Sequence, residues 1–302
     1  MPPLPLPPES VRRIVYFGSP VAAVPPLRAL VEAGYEVPLV VSRPDTRRGR
    51  GGVVTPSPVK AAALGLGLQV TDRVTDAVSV EADLGVVVAY GALLRPPVLG
   101  HLPLVNLHFS LLPRWRGAAP VERALLAGDA ETGVCVMAVE EGLDTGGVYR
   151  AVSVPIDPEE SAEDLRGRLV DAGVAALLDC CASGFGSPQP QEGVATSAAK
   201  LTTEDRRLHW EESAEFLHRV VRIGRAWTTF RGRRLLVHAS RRATAPAGAV
   251  STCPPGTMVG TVVCAGTGWL QLLEVQPEGR GRLEAAAWRN GVRPGADERL
   301  GG

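Results

Sequence analysis

Short apolar runs alternate with amphipathic stretches along the first part of the chain. The runs of strand length are "RRIVYFGSP", "EVPLVVSRPD", "ADLGVVVAYG" and "LVNLHFS", and the helical patterns include "AAVPPLRALVEAGY", "PSPVKAAALGLGL" and "APVERALLAGD". Strands that alternate with helices in this way are typical of parallel β-α-β units, whose sheet is covered on both faces. The pattern therefore predicts an α/β domain built on a parallel sheet.

The following stretch, "GVCVMAVEEGLDTGGVYRAVSVPI", predicts two further strands around a glycine-rich turn. A helix should begin near Ser161, because Ser161 and Asp164 have the spacing of a capping box. Apolar residues then recur at helical spacing, at Leu165, Leu169, Val174 and Leu178. We expect this helix to complete a first domain over residues 11–183, after a proline-rich and disordered tail at residues 1–10.

A change of composition predicts the domain boundary. Residues 182–200, "ASGFGSPQPQEGVATSAAK", are rich in glycine, serine, proline and glutamine and have no strong periodicity. This is typical of an interdomain linker, which we place at residues 184–203. Beyond it, one helical pattern precedes short strands broken by glycine and proline. Their spacing predicts a small β-barrel domain over residues 204–302.

The overall composition is that of an ordinary soluble globular protein, with 21% charged and 45% hydrophobic residues. The net charge of zero hides an asymmetry. Residues 1–200 carry 17 basic and 22 acidic side chains, a net charge of −5, whereas residues 201–302 carry 15 and 10, a net charge of +5. This balance argues against a protein that coats nucleic acid with its whole surface, but it allows the second part to contact nucleic acid locally.

Neither a membrane nor a metal is expected as a partner. No apolar run reaches the ~18 residues that a membrane-spanning helix needs. The five cysteines show no paired metal-ligand spacing, and Cys180 and Cys181 are adjacent. We therefore expect no metal site and no disulfide framework, and we place the protein in the reducing cytoplasm.

A sheet of this kind often binds a dinucleotide after its first strand. At that place the chain reads "GSPVAA" over residues 18–23, so the second and third glycines of G-x-G-x-x-G are missing. The phosphate loop G-x-x-x-x-G-K-[ST] is also absent from the sequence. These observations predict a Rossmann-like fold that binds neither a nicotinamide cofactor nor ATP.

Two polar residues, Asn106 and His108, end an apolar strand two positions apart, so their side chains share one face. At the carboxyl edge of a parallel sheet that face opens toward a ligand crevice. The Asn106 amide can donate to a developing oxyanion, and the His108 imidazole can exchange protons near neutral pH. A carboxylate usually orients such an imidazole, and Asp144 in "EEGLDTGG" is the best candidate. A structural histidine and a turn-forming aspartate stay open as alternatives at this point.

The stretch "NLHFSLLPRWRGAAPVERALLAGDAETGVCVMAVEEGLDTGG" resembles the core of the methionyl-tRNA formyltransferases. Related folate-dependent formyltransferases share Asn-x-His, the "SLLP" turn and a later aspartate, whereas "SLLPRWRGAAP" is typical of the tRNA enzymes. The likeness continues in "RIVYFGSP", "VVVAYG", "AAKLTTED" and "LQLLEVQPEG", and it covers nearly the whole chain. The resemblance implies a formyltransferase domain followed by an OB-like β-barrel that binds tRNA.

The resemblance also implies a reaction, in which the formyl group of 10-formyltetrahydrofolate moves to the α-amine of methionine on initiator tRNA. Asn106 and protonated His108 would hold the oxygen of the tetrahedral intermediate, while Asp144 would orient His108 and help to take the amine proton. The residues that match the family's folate contacts are Ser110, Leu111, Leu112, Pro113, Val88, Tyr90 and Gly91. We expect the enzyme to act as a monomer and without a metal.

Contacts with tRNA are implied in two places. The loop "RPDTRRGRGGVVTPSPVK" resembles the family's acceptor-arm loop, which assigns Arg47, Arg48 and Arg50 to RNA. Many members have lysines just after Gly-Arg-Gly, whereas "GVV" follows here. In the basic second domain and at its entrance, the expected RNA contacts are Lys200, Arg222 and Arg225.

Three other functions are weighed against this one. A formyltransferase for a small amine, such as an amino sugar or a ribonucleotide, is disfavoured by "RWRGAAP", the arginine-glycine loop and the basic second domain. A non-catalytic RNA-binding protein with the same fold would not need the set of asparagine, histidine and aspartate. A nicotinamide dehydrogenase lacks its glycine fingerprint.

Overall fold

The computed structural model describes residues 4–48, 52–247, 253–295 and 297–302. The chain divides into two compact units. The first consists of Met1–Val121, Glu131–Pro155 and Arg166–Ala199, and the second consists of Glu122–Ala130, Ile156–Leu165 and Lys200–Gly302. Two short segments from the earlier part of the chain therefore belong, by their contacts, with the later residues.

The strands of the first unit are β1 (Arg13–Gly18), β2 (Glu36–Val41), β3 (Thr46–Arg48), β4 (Val53–Thr55), β5 (Val70–Thr71), β6 (Leu84–Val88), β7 (Leu104–His108), β8 (Arg116–Gly117), β9 (Glu131–Ala138), β10 (Val148–Pro155) and β11 (Ser197–Ala198). Seven of them form one sheet in the order β10-β9-β7-β6-β1-β2-β5. The strands from β7 to β5 pair in parallel, while β9 is antiparallel to both β7 and β10. The sheet therefore changes from parallel to antiparallel at β7.

Burial explains why the central strands read as continuous apolar runs. In β1, Val15, Tyr16 and Phe17 are fully buried, and every residue of β6 is buried. Both faces of the sheet are covered, so neither strand alternates between apolar and polar residues. The expected α/β domain with a parallel sheet is confirmed.

A hydrogen bond and a close steric contact hold the turn after β1. The hydroxyl of Tyr16 donates to the carbonyl of Ala23 at 2.6 Å. A Cβ atom on Gly18 would lie 2.9 Å from the Tyr16 ring and 3.2 Å from the carbonyl oxygen of Val88. Gly18 therefore serves the close approach of the first strand to its own ring and to β6.

The helices are α1 (Val24–Glu32), α2 (Pro58–Gly65), α3 (Pro96–Leu99), α4 (Pro120–Ala127), α5 (Ala162–Ser183), α6 (Ala214–Arg222) and α7 (Ala285–Val292). The predicted capping box begins α5, because Ser161 Oγ accepts from the Asp164 amide at 3.2 Å and Asp164 Oδ2 accepts from the Ser161 amide at 3.3 Å. None of the helices in the described part of the chain is both long enough and apolar enough to span a bilayer.

The second unit is built on an antiparallel sheet. Its strands are β12 (Ala226–Phe230), β13 (Arg233–Ala243), β14 (Met258–Val259), β15 (Val262–Cys264), β16 (Trp269–Pro277) and β17 (Leu283–Glu284). They pair in the order β12-β13-β16-β15-β14, with β17 also on β16. Its core includes Trp210, Leu217, Val237 and Leu270, each at most 2% exposed. An α/β domain followed by a β-rich domain is thus the observed architecture.

The stretch predicted to be a linker, residues 184–203, lies on the first unit as far as Ala199. Gln189 pairs with Val148, and β11 pairs in parallel with β8. Since β8 follows the turn after β7, this late stretch of chain returns to the end of the strand that carries Asn106 and His108.

Candidate active site

Asn106 and His108 lie at the carboxyl end of β7, where the sheet changes direction. Asn106 faces Val87 of β6 on one side and Met137 of β9 on the other. Both polar residues line a cavity of about 500 Å³, and so does Asp144 from the turn after β9. The three residues that the sequence predicts to be catalytic are therefore brought together around one cavity.

The His108 ring is 5% exposed and has a different group next to each nitrogen. Its Nε2 is 2.8 Å from the carbonyl oxygen of Trp115, and its Nδ1 is 3.6 Å from Asp144 Oδ2. A carbonyl can only accept, so Nε2 carries a proton. Nδ1 faces a carboxylate, so the two neighbours favour one orientation of the ring.

Asp144 is held in a strained position. Its backbone has a positive φ of 53°, a conformation that residues other than glycine seldom adopt. Its Oδ2 accepts from the Gly117 amide at 2.8 Å, which aims the carboxylate at the turn after β7. Two residues further on, a Cβ atom at Gly146 would lie 2.0 Å from the carbonyl oxygen of Ala138, so only glycine fits there. The glycines of "EEGLDTGG" thus let the carboxylate approach the histidine.

The residues expected to contact folate fall into two groups. Tyr90 and Gly91 line the cavity with Asn106 and His108. Val88 is fully buried in β6 and does not line the cavity.

The "SLLP" turn also stands apart from the lining of the cavity, which includes none of Ser110, Leu111, Leu112 and Pro113. The proton of the Ser110 hydroxyl is used within the turn, because the hydroxyl donates to the carbonyl of Arg114 at 2.6 Å. The peptide bond between Leu112 and Pro113 is cis. The structure thus gives this turn a role in shaping the path from β7 to β8, and its contact with folate stays a prediction.

The residues expected to contact tRNA are spread over the chain. Arg47 and Arg48 lie on β3, which pairs with β4, whereas Arg50 lies outside the described residues. Lys200 and Arg225 are exposed. Arg222 donates to the carbonyls of Glu160 and Asp157 at 2.7 and 2.6 Å, and burial lowers the pKa of its guanidinium. Arg222 therefore fastens the segment before α5 within the second unit, and its contact with tRNA stays a prediction.

The second unit presents a surface of arginines and aromatic rings. The guanidinium groups of Arg207 and Arg234 both lie over the Trp227 ring, at 5.3 and 4.4 Å from the ring centre. Next to it, a cavity of about 690 Å³ has an apolar floor that includes Phe230 and Trp288. Its rim carries five arginines: Arg231, Arg233, Arg234, Arg280 and Arg282. Such a combination of cations and aromatic rings suits a chain of phosphates and bases.

Within the described residues, no group of three or more histidine, cysteine, aspartate or glutamate side chains is placed to hold a metal ion. The five cysteines are free, and burial raises the pKa of the Cys181 thiol to about 12.

Comparison with known proteins identifies the family. The model of the formyl transferase family matches residues 12–181, and that of the formyl transferase C-terminal domain matches residues 200–293. The methionyl-tRNA formyltransferase of Symbiobacterium thermophilum is 42% identical over 92% of this chain and 92% of its own. That of Paenarthrobacter aurescens is 40% identical over 93% of this chain and 97% of its own.

The chain belongs to the methionyl-tRNA formyltransferase family.

Solved structures agree at the level of the fold. A methionyl-tRNA formyltransferase from Clostridium thermocellum has a TM-score of 0.54 at 17% identity, over 79% of this chain and 96% of its own. An N-formyltransferase from Helicobacter canadensis, in complex with folinic acid and dTDP-3-aminofucose, has a TM-score of 0.65 at 14% identity, over 88% and 99%. HypX from Aquifex aeolicus, in complex with tetrahydrofolic acid, has a TM-score of 0.66 at 18% identity, over 95% and 48%.

Membership of the family confirms the resemblance found in the sequence and makes the chain a formyl-transferring enzyme. It excludes the dehydrogenase and the non-catalytic RNA-binding protein.

Four residues next to the site were missed by the sequence reasoning: Trp115, Gly117, Gln191 and Thr196. Trp115 and Gly117 supply backbone groups to His108 and Asp144. Gln191 and Thr196 come from the stretch predicted to be a linker, and they hydrogen-bond to Asp144 and Trp115. In the sequence, the sign of these contacts was the stretch "RWRG", which follows a predicted strand and has neither helical nor strand periodicity.

Proposed function

We propose that this protein transfers the formyl group of 10-formyltetrahydrofolate to the α-amine of methionine on initiator tRNA, in the cytoplasm and as a monomer. The observation that carries the proposal is the meeting of Asn106, His108 and Asp144 around one cavity, in a chain of this family. When an amine attacks a formyl carbon, hydrogen-bond donors must stabilise the developing oxyanion and a base must help to take the amine proton. An amide, an imidazole and a carboxylate can supply these roles.

In the proposed reaction the neutral amine attacks the formyl carbon and forms a tetrahedral intermediate. The new carbon–nitrogen bond joins the formyl group to methionine, and the bond between that carbon and N10 of the folate then breaks. N10 takes up a proton as the amine loses one, so no group remains on the enzyme. No covalent intermediate is needed, and none of the five cysteines lines the cavity.

Asn106 and His108 would stabilise the oxygen of the intermediate. Asn106 lines the cavity at the strand end, and the Nε2 of His108 is engaged with Trp115. Nδ1 is therefore the ring nitrogen that can serve the reacting groups. Its distance of 3.6 Å to Asp144 is longer than a hydrogen bond, so an Nδ1–H would not be committed to the carboxylate and could donate, within the ring plane, to the oxygen of the intermediate. Such preorganised donors act strongly in a partly dry cavity.

The donor folate would occupy the cavity beside Tyr90 and Gly91. A volume of about 500 Å³ and a mainly apolar lining suit a flat heterocycle. Gly91 has a positive φ of 78°, which keeps the backbone of this turn close to the cavity without a side chain in the way. The "SLLP" turn is proposed to complete the folate site from the other side.

The RNA would be held mainly by arginines. In the second unit, the surface formed by Arg207, Trp227 and Arg234 and the neighbouring arginine-rimmed cavity are suited to phosphates and exposed bases. Lys200 and Arg225 are exposed and would add to this contact. The loop that contains Arg47, Arg48 and Arg50 would meet the acceptor arm next to the methionine.

The test is a substrate comparison with the intact protein. With 10-formyltetrahydrofolate as donor, methionyl-initiator tRNA should be formylated far faster than free methionine, an amino sugar nucleotide or a ribonucleotide amine. Base hydrolysis of the ester releases the amino acid from the tRNA, and mass spectrometry would then measure N-formylmethionine as the product. Comparable rates with a free small amine, or no formylation of the tRNA, would contradict the proposal.

A further inference from the structure

Both nitrogens of His108 depend on residues whose backbone is left-handed. Trp115, whose carbonyl oxygen meets Nε2, has a φ of 63°, and Asp144, whose carboxylate faces Nδ1, has a φ of 53°. Residues other than glycine persist in this region only where their surroundings hold them there. Neighbouring groups must therefore hold Trp115 and Asp144 in this conformation.

Thr196 holds Trp115. The Trp115 amide donates to Thr196 Oγ1 at 2.9 Å, although the two residues are 81 positions apart. The backbone of Thr196 is tied to the same turn, because the Arg116 amide donates to its carbonyl at 2.9 Å and its own amide donates to the Pro113 carbonyl at 3.2 Å. The turn that presents a carbonyl to His108 is thus fixed on both sides of Trp115.

Gln191 holds Asp144. Its Nε2 donates to the carbonyls of Asp144 and Gly146, at 2.9 and 2.8 Å. Its Oε1 accepts from Nε and Nη2 of Arg116, at 3.0 and 2.6 Å. All the polar groups of this amide are used, which fixes its orientation. One side chain thus joins the turn after β7 to the turn that carries the catalytic carboxylate.

Gln191 and Thr196 lie between the two family models, which match residues 12–181 and 200–293. We propose that they are positioning residues for formyl transfer: Thr196 sets the Trp115 carbonyl that orients His108, and Gln191 sets the Asp144 carboxylate. The part of this inference that concerns the reaction rests on the proposed function, whereas the part that concerns the histidine ring does not.

Four variants and one control test the kinetic part. Thr196→Val removes the acceptor and keeps the shape, while Thr196→Ser retains the hydroxyl. Gln191→Glu keeps the acceptor for Arg116 but removes both N–H donors, and Gln191→Ala removes the side chain. Gln189→Ala is the control, because its exposed side chain bonds only to the nearby carbonyl of Ser187 among the described residues.

We expect Thr196→Val, Gln191→Glu and Gln191→Ala to lower kcat by about 10- to 100-fold, as misplacement of reacting groups by roughly 1 Å does. KM for both substrates should stay within about twofold, since neither residue lines the cavity. Thr196→Ser should recover most of the rate, and Gln189→Ala should match the wild type. A loss confined to KM, or an equal loss in Thr196→Ser, would contradict the inference.

A double-mutant cycle separates positioning from general loosening of the fold. If Gln191 acts through Asp144, Gln191→Glu should cost little more once Asp144→Ala is present. Likewise, Thr196→Val should cost little more in a His108→Ala background. Full additivity of either pair would overturn the inference for that residue.

The ring itself provides a readout that does not depend on the reaction. In protein labelled with nitrogen-15 histidine, the His108 signals are assigned by their loss in His108→Ala. Thr196→Val should move the Nε2 signal and Gln191→Glu the Nδ1 signal, with no change in Gln189→Ala. Displaced ring signals in a protein that does not formylate methionyl-tRNA would support the positioning but refute the proposed function. Unchanged signals together with unchanged rates would refute the positioning alone.

Discussion

Left-handed backbone occurs in both units, but it serves different ends. In the second unit such residues stand at the ends of elements: Arg225 precedes β12, Arg231 lies in the turn between β12 and β13, and Arg293 follows α7. In the first unit, Ala89 adopts it directly after β6, but Trp115 and Asp144 adopt it next to His108 and are held by hydrogen bonds from distant residues. The same backbone conformation ends an element in one case and aims a functional group in the other.

The two units also differ in how their polar and charged groups are arranged. Around His108 the polar groups meet specific neighbours: Nε2 meets the Trp115 carbonyl, and Asp144 Oδ2 meets both Nδ1 and the Gly117 amide. The arginines of the second unit share a broad surface, where neighbours can compensate for a loss. The contrast predicts that catalysis is sensitive to single changes, whereas RNA binding responds gradually.

The largest effect is expected from the groups around the oxyanion. Asn106→Ala or His108→Ala should lower kcat by about 10²–10³-fold, because each removes one preorganised donor. Binding of tRNA, measured by filter retention, should be nearly unchanged, since Asn106 and His108 line the small cavity and are not among the arginines proposed to hold the RNA. Turnover within a few-fold of the wild type would contradict the catalytic assignment.

The second largest effect on kcat is expected from a steric change at Gly117. Gly117 has a φ of 125°, and a Cβ atom there would lie 2.8 Å from the carbonyl oxygen of Ala198. We expect Gly117→Ala to separate β8 from β11, to displace the donor to Asp144 and to lower kcat by roughly 10-fold, with ~1–3 kcal/mol of lost stability. Gly65→Ala is the control, because a Cβ atom at that position would point into open space. Equal activity of the two variants would refute this expectation.

Single changes in the arginine surface should each weaken tRNA binding by a small amount. Arg233→Ala and Arg234→Ala should each lower the slope of log affinity against log salt by about one, because each removes one phosphate contact. With methionyl-tRNA the change should appear in KM and leave kcat nearly unaltered. The double variant Arg12→Ala/Arg28→Ala removes charge from exposed positions of the first unit. An equal effect of that control would show that only net charge matters.

The smallest effect concerns stability against acid. The Thr202 amide, with help from the Thr202 hydroxyl and Arg123, lowers the pKa of Asp205 to about 2. Since the pKa is lower in the folded state, the stabilisation is present above pH ~4 and is lost as the pH falls toward 2. Asp205→Asn should therefore lower the free energy of unfolding by about 1–2 kcal/mol at pH 7 and by little near pH 2. Urea titrations at both pH values would measure it, and a pH-independent loss would contradict this origin.

Local regularities made much of the fold predictable. The period of two along β7 placed Asn106 and His108 on one face, and the spacing of Ser161 and Asp164 placed the start of α5. The direction of β9 was not predictable, because a buried run of residues looks the same in parallel and antiparallel pairs. Asp144 was found as a turn residue, and its distance from His108 came only with the structure.

The supports of the site could not be predicted for a different reason. Gln191 is 75 positions from Arg116 and 47 from Asp144, and its neighbours in sequence are polar and irregular. Composition identifies such a stretch as loop but gives no information about which turn it contacts. Its assignment depends on the pairing of β11 with β8, which is a property of the tertiary fold.

The return of the chain to β8 also has a consequence for biosynthesis. Thr196 follows Trp115 by 81 residues, and a ribosome that adds about 5–20 residues each second needs roughly 4–16 s to make them. In the later part of that interval, after Asp144 has been added, the nascent chain contains Asn106, His108 and Asp144 but not yet Thr196, and Gln191 follows Asp144 only after 47 residues. The site of an enzyme that serves the first step of translation is thus completed only late in the elongation of its own chain.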